Sequence, residues 1–166
     1  MQYSGPYRFN LLLAGAEDKR VYLPKEKTEK KFSFHPAVMA KSQPKIYVLK
    51  SAGEIVYVGY ASQSISMRLR QGMRANGLNG YHGYKWKHLE EVELVVFVFE
   101  KLFGDIGVDR DLYKSYVEAV EAELVYIVRR EKGQWPMWQN EIHFNNNHSK
   151  TLVEAAEDMY EKINEQ

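Results

Sequence analysis

"KIYVLKSAGEIVYVG", residues 45–59, is the stretch that decides how the chain is read. Residues 45–50 combine β-branched and aromatic side chains directly after Pro44, and residues 55–59 repeat the pattern, which is strand chemistry. Between them Ser51, Ala52, Gly53 and Glu54 make a turn with glycine in its centre. The two runs are expected to pair as an antiparallel hairpin that carries Tyr47 and Tyr57.

Downstream, a polar loop leads into a helix. Ser62 or Ser64 can cap it by accepting orphan backbone N–H groups. Ile65, Leu69 and Met73, spaced by four, form its buried stripe. Arg68 and Arg70 flank that stripe on opposite sides, and Arg74 points further away. Asn76 and Gly77 supply the stop, since glycine tolerates a left-handed cap. Residues 79–88, "NGYHGYKWKH", alternate rings with bases and read as a loop. Residues 92–102 are too β-branched and aromatic for a helix and read as a third strand, buried over most of its length. Asp111 opens a long helix that runs to about Arg130, with acids toward its start and Arg129 and Arg130 at its end, as the macrodipole prefers. Residues 138–147 begin strand-like and become rich in asparagine. Residues 149–166 form a last amphipathic helix with Leu152, Ala155, Ala156 and Tyr160 inward.

The fold class is therefore expected to be α+β: a small three-stranded antiparallel sheet flanked by helices, ending in a C-terminal helix. Residues 1–43, with Pro6, Pro24, Pro36 and the charged run "KEKTEKK", read as an irregular or partly helical arm packed on or beside the core formed by residues 44–166. A length of 166 residues suits this single domain.

Composition narrows the function classes. The chain has no cysteine, which removes disulfides and thiolate zinc sites and fits a reducing cytoplasm. The apolar start at residues 11–16 is too short for a signal or membrane segment, so a cytoplasmic protein is expected. Net charge is only +1, but it is unevenly spread. Residues 55–89 contain no acid and carry Arg68, Arg70, Arg74, Lys85, Lys87, His82 and His88, whereas 17 acids face 8 bases from Glu90 onward. One positive region on an acidic body suits a polyanion; a solvated face is the plainer alternative.

Taken in order, "KIYVLK", "IVYVG", "SMRL", "EAELV" and "PMWQN" resemble the GIY-YIG nuclease family. Residues 45–47 stand where that family has Gly-Ile-Tyr, and Tyr57, Val58 and Gly59 where it has Tyr-Ile-Gly. Arg68, followed by Leu69, matches its arginine, Glu121 its glutamate, and Asn140 its terminal asparagine. The resemblance covers residues 44–140. It departs at Lys45, which replaces the first glycine, and in the extra "EKGQW" between Glu121 and Asn140. The helix pattern alone does not single out Glu121. It lies on the edge of the stripe Val117, Val120, Leu124 and Val128, with Glu123 at the opposite edge and Glu118 further out, and a salt-bridged glutamate is the commoner finding there.

The resemblance implies phosphodiester hydrolysis with one divalent cation, Mg²⁺ or Mn²⁺, ligated by Glu121. Arg68 would hold the phosphate with its planar fork. Tyr47 or Tyr57 would position or deprotonate the attacking water, and His82 is a candidate assisting base. Gly59 and Asn140 would be structural braces. DNA contacts are expected from Arg70, Arg74, Tyr84, Lys85, Trp86 and Lys87, with His143, Asn145 and Asn146 able to read base edges. The partner implied is DNA, a homodimer is compatible with it, and no membrane is involved. A sequence-specific restriction-type or phage or mobile-element nuclease is the first expectation. A structure-specific repair nuclease and a non-catalytic nucleic-acid-binding module on the same fold are the alternatives.

Overall fold

The computed structural model describes residues 2–16, 21–24, 33–78, 83–101, 107, 109–140, 142 and 149–165. Its centre is the hairpin read from the sequence. β3 (Lys45–Ser51) pairs antiparallel with β4 (Glu54–Ala61), with Tyr47 opposite Gly59 and Leu49 opposite Tyr57. The connecting Ala52 and Gly53 both have positive φ, 50° and 81°, as the right-handed twist of a two-residue hairpin requires. One residue beyond the Leu49–Tyr57 pair the register slips, because Lys50 faces Ile55. Val56 is the extra residue of a β-bulge, and Val56 and Tyr57 consequently share one face of the sheet.

The expected three-stranded sheet is overturned: the sheet has five antiparallel strands in the order β2-β1-β5-β3-β4. Part of the expected arm supplies the difference. β1 (Tyr3–Ala14) lies beside β5 (Glu91–Phe99), and the short β2 (Val21–Pro24) covers its outer edge. Proline is disfavoured in a ladder, yet β1 contains Pro6. A register shift between Ser4 and Tyr7 accommodates it, and Gly5 sits there at φ 121°, where an added Cβ would lie 2.7 Å from the Val96 carbonyl oxygen. Arg8 then pairs with Glu93 at 2.6 Å and donates to the Ile163 and Glu165 carbonyls at the end of the last helix, where a cation is favoured.

Helices cover both faces of the sheet. α3 (Arg110–Lys132) and α4 (Lys150–Asn164) pack on Ile46, Val48, Val58, Val95, Phe97 and Phe99. α2 (Ile65–Arg74) packs on Tyr47, Leu49, Tyr57, Leu94, Val96 and Val98, joined by Val38 of the one-turn α1 (Pro36–Met39) and by Trp86 of a 3₁₀ turn (Gly83–His88). Burial on both faces explains why β5 reads as a continuous apolar run rather than an alternating one.

β4 is an edge strand, and the segment after α3 blunts it. Gly133, left-handed at φ 74°, ends that helix. The Trp138 N–H donates to the Val56 carbonyl at 2.9 Å, and the Val58 N–H donates to Gln139 Oε1 at 3.0 Å. Among the described residues, no helix is long and apolar enough to cross a membrane.

Candidate active site

The two tyrosines come from adjacent strands and stand side by side. Their ring centroids are 5.8 Å apart, and both rings are buried, Tyr47 1% and Tyr57 6% exposed. Gly59 makes room for them. A Cβ at that position would lie 2.6 Å from Tyr47 Cζ, 2.7 Å from its hydroxyl oxygen and 2.7 Å from Tyr57 Cε1. Any other residue would push one ring or the other out of place.

Arg68 reaches this pair from α2. Ser64 occupies the N-cap position of that helix without a side-chain capping bond, and Ile65, Leu69 and Met73 are buried as the spacing predicts. The anchored stripe turns Arg68 toward the hairpin. Its Nε donates to the Tyr47 hydroxyl at 3.0 Å, and its Cζ lies 5.8 Å from the centre of the Tyr47 ring.

Glu121 arrives from the other face. It sits on α3, which packs under β4, and the Tyr60 backbone N–H at the sheet edge lies near enough to favour its charged form. The site therefore wraps around the edge strand, with tyrosines and arginine on one side and glutamate on the other. Part of the Glu121 surface stays open to solvent, yet its carboxyl is closely surrounded. Burial pushes that carboxyl up to about 8; Arg68 opposes the shift, Glu118 one turn earlier adds to it, and the Tyr60 N–H opposes it. Glu118 itself pairs with Lys114 at 3.4 Å. Arg68, Glu118 and Glu121 are each only partly covered, so an incoming group meets these side chains before the buried rings.

A carboxylate in that state is short of positive charge, and this bears on the cation implied above. One desolvated carboxylate on a partly exposed residue suits Mg²⁺ or Mn²⁺, which keeps most of its waters and takes few protein oxygens. The residues present fit such an ion. Among the described residues no three acids or histidines gather into a larger cage.

Tyr60 extends the centre. Burial raises its hydroxyl to about 12, with Ser62 beside it and with Glu118, Arg110 and Glu121 all near enough to act on it. Among the described residues the buried hydroxyl has no hydrogen-bond partner. Neither Tyr60 nor Arg110 stood out in the sequence. The period-two pattern reads Tyr60 as one more strand aromatic, and Arg110 as one more charge at a helix start.

The remaining expected residues divide. Tyr47, Tyr57, Gly59, Arg68 and Glu121 converge. Asn140 is exposed, and the brace on β4 comes from its neighbour Gln139, a residue that spacing alone could not separate from it. Arg70 and Arg74 are exposed and, with Val21, Tyr22 and Met73, line an open cleft of ≈ 350 Å³. Lys85 is exposed and Tyr84 is partly buried. Trp86 and Lys87 are placed differently from the expected surface contacts. Trp86 is 1% exposed and fills the space that Gly72 leaves on α2, where a Cβ would lie 2.5 Å from its ring. Lys87 is 3% exposed, and its ammonium donates to the Ala75 carbonyl at 2.7 Å, closing the end of α2. His82, His143, Asn145 and Asn146 lie outside the described residues.

Lys45, at the place of the family's first glycine, is fully buried. Its ammonium donates to the carbonyls of Ala40 and Gln43, both at 2.7 Å, and burial lowers it to about 8. It is tied to the chain before β3 and takes no part in the centre around Arg68.

No protein-family profile, no curated protein and no solved structure matches the chain.

Proposed function

We propose that the chain is a divalent-metal-dependent DNA endonuclease, a stand-alone member of the GIY-YIG type acting in the cytoplasm, with restriction or a phage or mobile-element role as its setting. The observation that carries this reading is the gathering of Tyr47 and Tyr57 over Gly59, of Arg68 on Tyr47, and of Glu121 within electrostatic reach of Arg68, from four separate elements. Three of the four sit close together in the sequence, but Glu121 is brought in from a distant helix on the opposite face. A packing corner has no use for a desolvated carboxylate beside an arginine, since burying it costs stability. That cost also counts against a module that only binds nucleic acid.

In this reading Arg68 holds a non-bridging phosphate oxygen and the negative charge that grows there. Its bond to the Tyr47 hydroxyl fixes both groups relative to each other. A water on the tyrosine side attacks phosphorus and the P–O bond to the leaving sugar oxygen breaks. Tyr47 or Tyr57 orients that water and, acting as its phenolate, takes up its proton, while the leaving sugar oxygen takes a proton from bulk water. Glu121 would hold the cation, and the chemistry such an ion would supply when bound is neutralisation of the charge that grows on the leaving oxygen. The exposed Arg70, Arg74 and Lys85 carry the DNA backbone past the site.

The test is digestion of a random-sequence duplex library with Mg²⁺ and mapping of the ends. Defined ends from the wild-type chain support the reading. Cleavage of branched or flapped DNA with plain duplex left intact would move it to a structure-specific repair nuclease.

A further inference from the structure

A second basic cleft adjoins this centre. It has a volume of ≈ 330 Å³ and is lined by Lys41, Ser42, Ser62, Gln63, Met67 and Arg110. Among the described residues no acid lines it, and it offers an ammonium, a guanidinium, two hydroxyls and an amide. The chain around it is continuous with the centre. Ser62 follows β4 directly, two residues beyond Tyr60, whose backbone N–H lies near Glu121. Met67 immediately precedes Arg68. Arg110 acts on the buried Tyr60 hydroxyl together with Glu118 and Glu121.

Two features of this cleft run against local stability. Arg110 is the first residue of a helix of 23 residues, where the macrodipole disfavours a cation. Its neighbours obey the rule, since Asp109 caps the helix by accepting from the N–H groups of Asp111 and Leu112, and Asp111 lies in the first turn. Ser42 is held at φ 59°, a left-handed conformation that serine adopts at a cost. Lys41 is exposed and has no acidic partner among the described residues. Together with the Arg110 guanidinium, this lysine gives the cleft two cations, which suits a ligand that is itself negative.

We propose that this cleft is a second phosphate subsite, which takes a phosphodiester of the DNA strand neighbouring the one held by Arg68. The proposal rests on the nuclease reading of the adjoining centre. Lys41 and Arg110 neutralise the phosphate, Ser62 and Gln63 hydrogen-bond its oxygens, and the strand is thereby aligned before it reaches the tyrosines. A free phosphate and a diester share this chemistry, so both are used as probes.

The experiment follows the backbone amide signals of Ser62, Gln63 and Met67 by NMR in the full chain, titrated with inorganic phosphate or with a thymidine dinucleotide carrying one diester. Both ligands are expected to move these signals at millimolar concentration. Binding should weaken at least tenfold in the Lys41→Ala, Arg110→Ala double variant, whose melting temperature should stay level or rise. Lys41→Ala alone, at an exposed loop position, should weaken binding in the same direction and guards against a folding defect. In parallel, salt titrations of duplex binding are made in a Glu121→Gln background. The double variant should lower the slope of log affinity against log salt by about 0.9, the value for one lost phosphate contact. Unmoved signals with duplex binding and cleavage intact overturn the subsite alone. Signals that move with phosphate, beside an unchanged salt slope, also overturn it, because the anion site is then unconnected to DNA. A wild-type chain that binds no duplex at any salt has a different signature and overturns the nuclease reading beneath it.

Discussion

Gly59→Ala is the substitution whose effect can be worked out most fully. The added methyl group would lie 2.6–2.7 Å from atoms of both tyrosine rings, against about 3.4 Å for ordinary contact, so relief requires a movement of roughly 0.7 Å or more. Tyr47 is 1% exposed and bonded to Arg68, so the movement is shared among buried groups. Overpacking of this kind costs about 1–3 kcal/mol. For a chain of this size each kcal/mol lowers the melting temperature by about 2–4 °C. The effect on turnover is larger in proportion, because a misplacement of about 1 Å at reacting groups costs on the order of 10²-fold. Gly53→Ala is the matched control. Gly53 also has positive φ, 81°, but an added Cβ meets nothing within 4 Å and the position is a hairpin tip away from the centre. It should lose about 1–2 kcal/mol from backbone strain and keep its cleavage rate per folded molecule. Urea melts and single-turnover cleavage of a mapped duplex measure the two quantities separately. A Gly59→Ala variant as stable and as fast as wild type would show that the tyrosines are not wedged over that strand, and the reasoning would fail.

Three further outcomes are expected. Arg68→Lys keeps the charge but loses the fork and the Nε bond to Tyr47, so single-turnover cleavage should fall by at least tenfold, while Arg70→Lys, on the exposed side, stays near wild type; the reverse ranking would place the phosphate on the other helix face. The folded Lys45 ammonium titrates at about 8 against 10.5 ordinarily, so over that window the unfolded chain binds more protons and this residue makes stability rise with pH; the rise should vanish in Lys45→Met when denaturant midpoints are compared at pH 8 and 10. Lys87→Ala removes a buried bond to the end of α2 and should lower stability by roughly 0.5–1.5 kcal/mol, whereas Lys85→Ala should leave the melt unchanged and reduce the salt slope of DNA binding; equal behaviour of the two would mean that Lys87 is not turned inward.

The hairpin and α2 were legible because their signals are local. Residues 45–51 and 54–61 are β-branched runs on either side of a glycine turn, and Ile65, Leu69 and Met73 repeat at helical spacing. β1 was hidden by a conflict between levels. Tyr7, Phe9, Leu11 and Leu13 do alternate, but Gly5 and Pro6 argue against a strand, and only the bulge beside them resolves the conflict. The ring-and-base pattern of residues 84–87 looked like a binding surface. It became a 3₁₀ turn with Trp86 inside because Gly72, fourteen residues earlier, leaves a slot of the right size, and such complementarity is invisible along one chain. In the same way Tyr47, Tyr57 and Arg68 could be picked out within a short stretch. Glu121 could not be separated from Glu118 or Glu123 by helix pattern, since what distinguishes it is the edge of a strand sixty residues away.

The most direct test of the account is cleavage of mapped duplex DNA in Mg²⁺ by Glu121→Gln beside the wild type, with binding measured on the same substrate. The amide keeps the shape of the side chain and removes the charge a divalent cation needs. The account predicts a folded variant that binds the duplex and leaves it uncut, while the wild type cuts it. Cleavage by Glu121→Gln near the wild-type rate would contradict the role given to Glu121, and a wild type that leaves every duplex intact with Mg²⁺ or Mn²⁺ would contradict the nuclease itself.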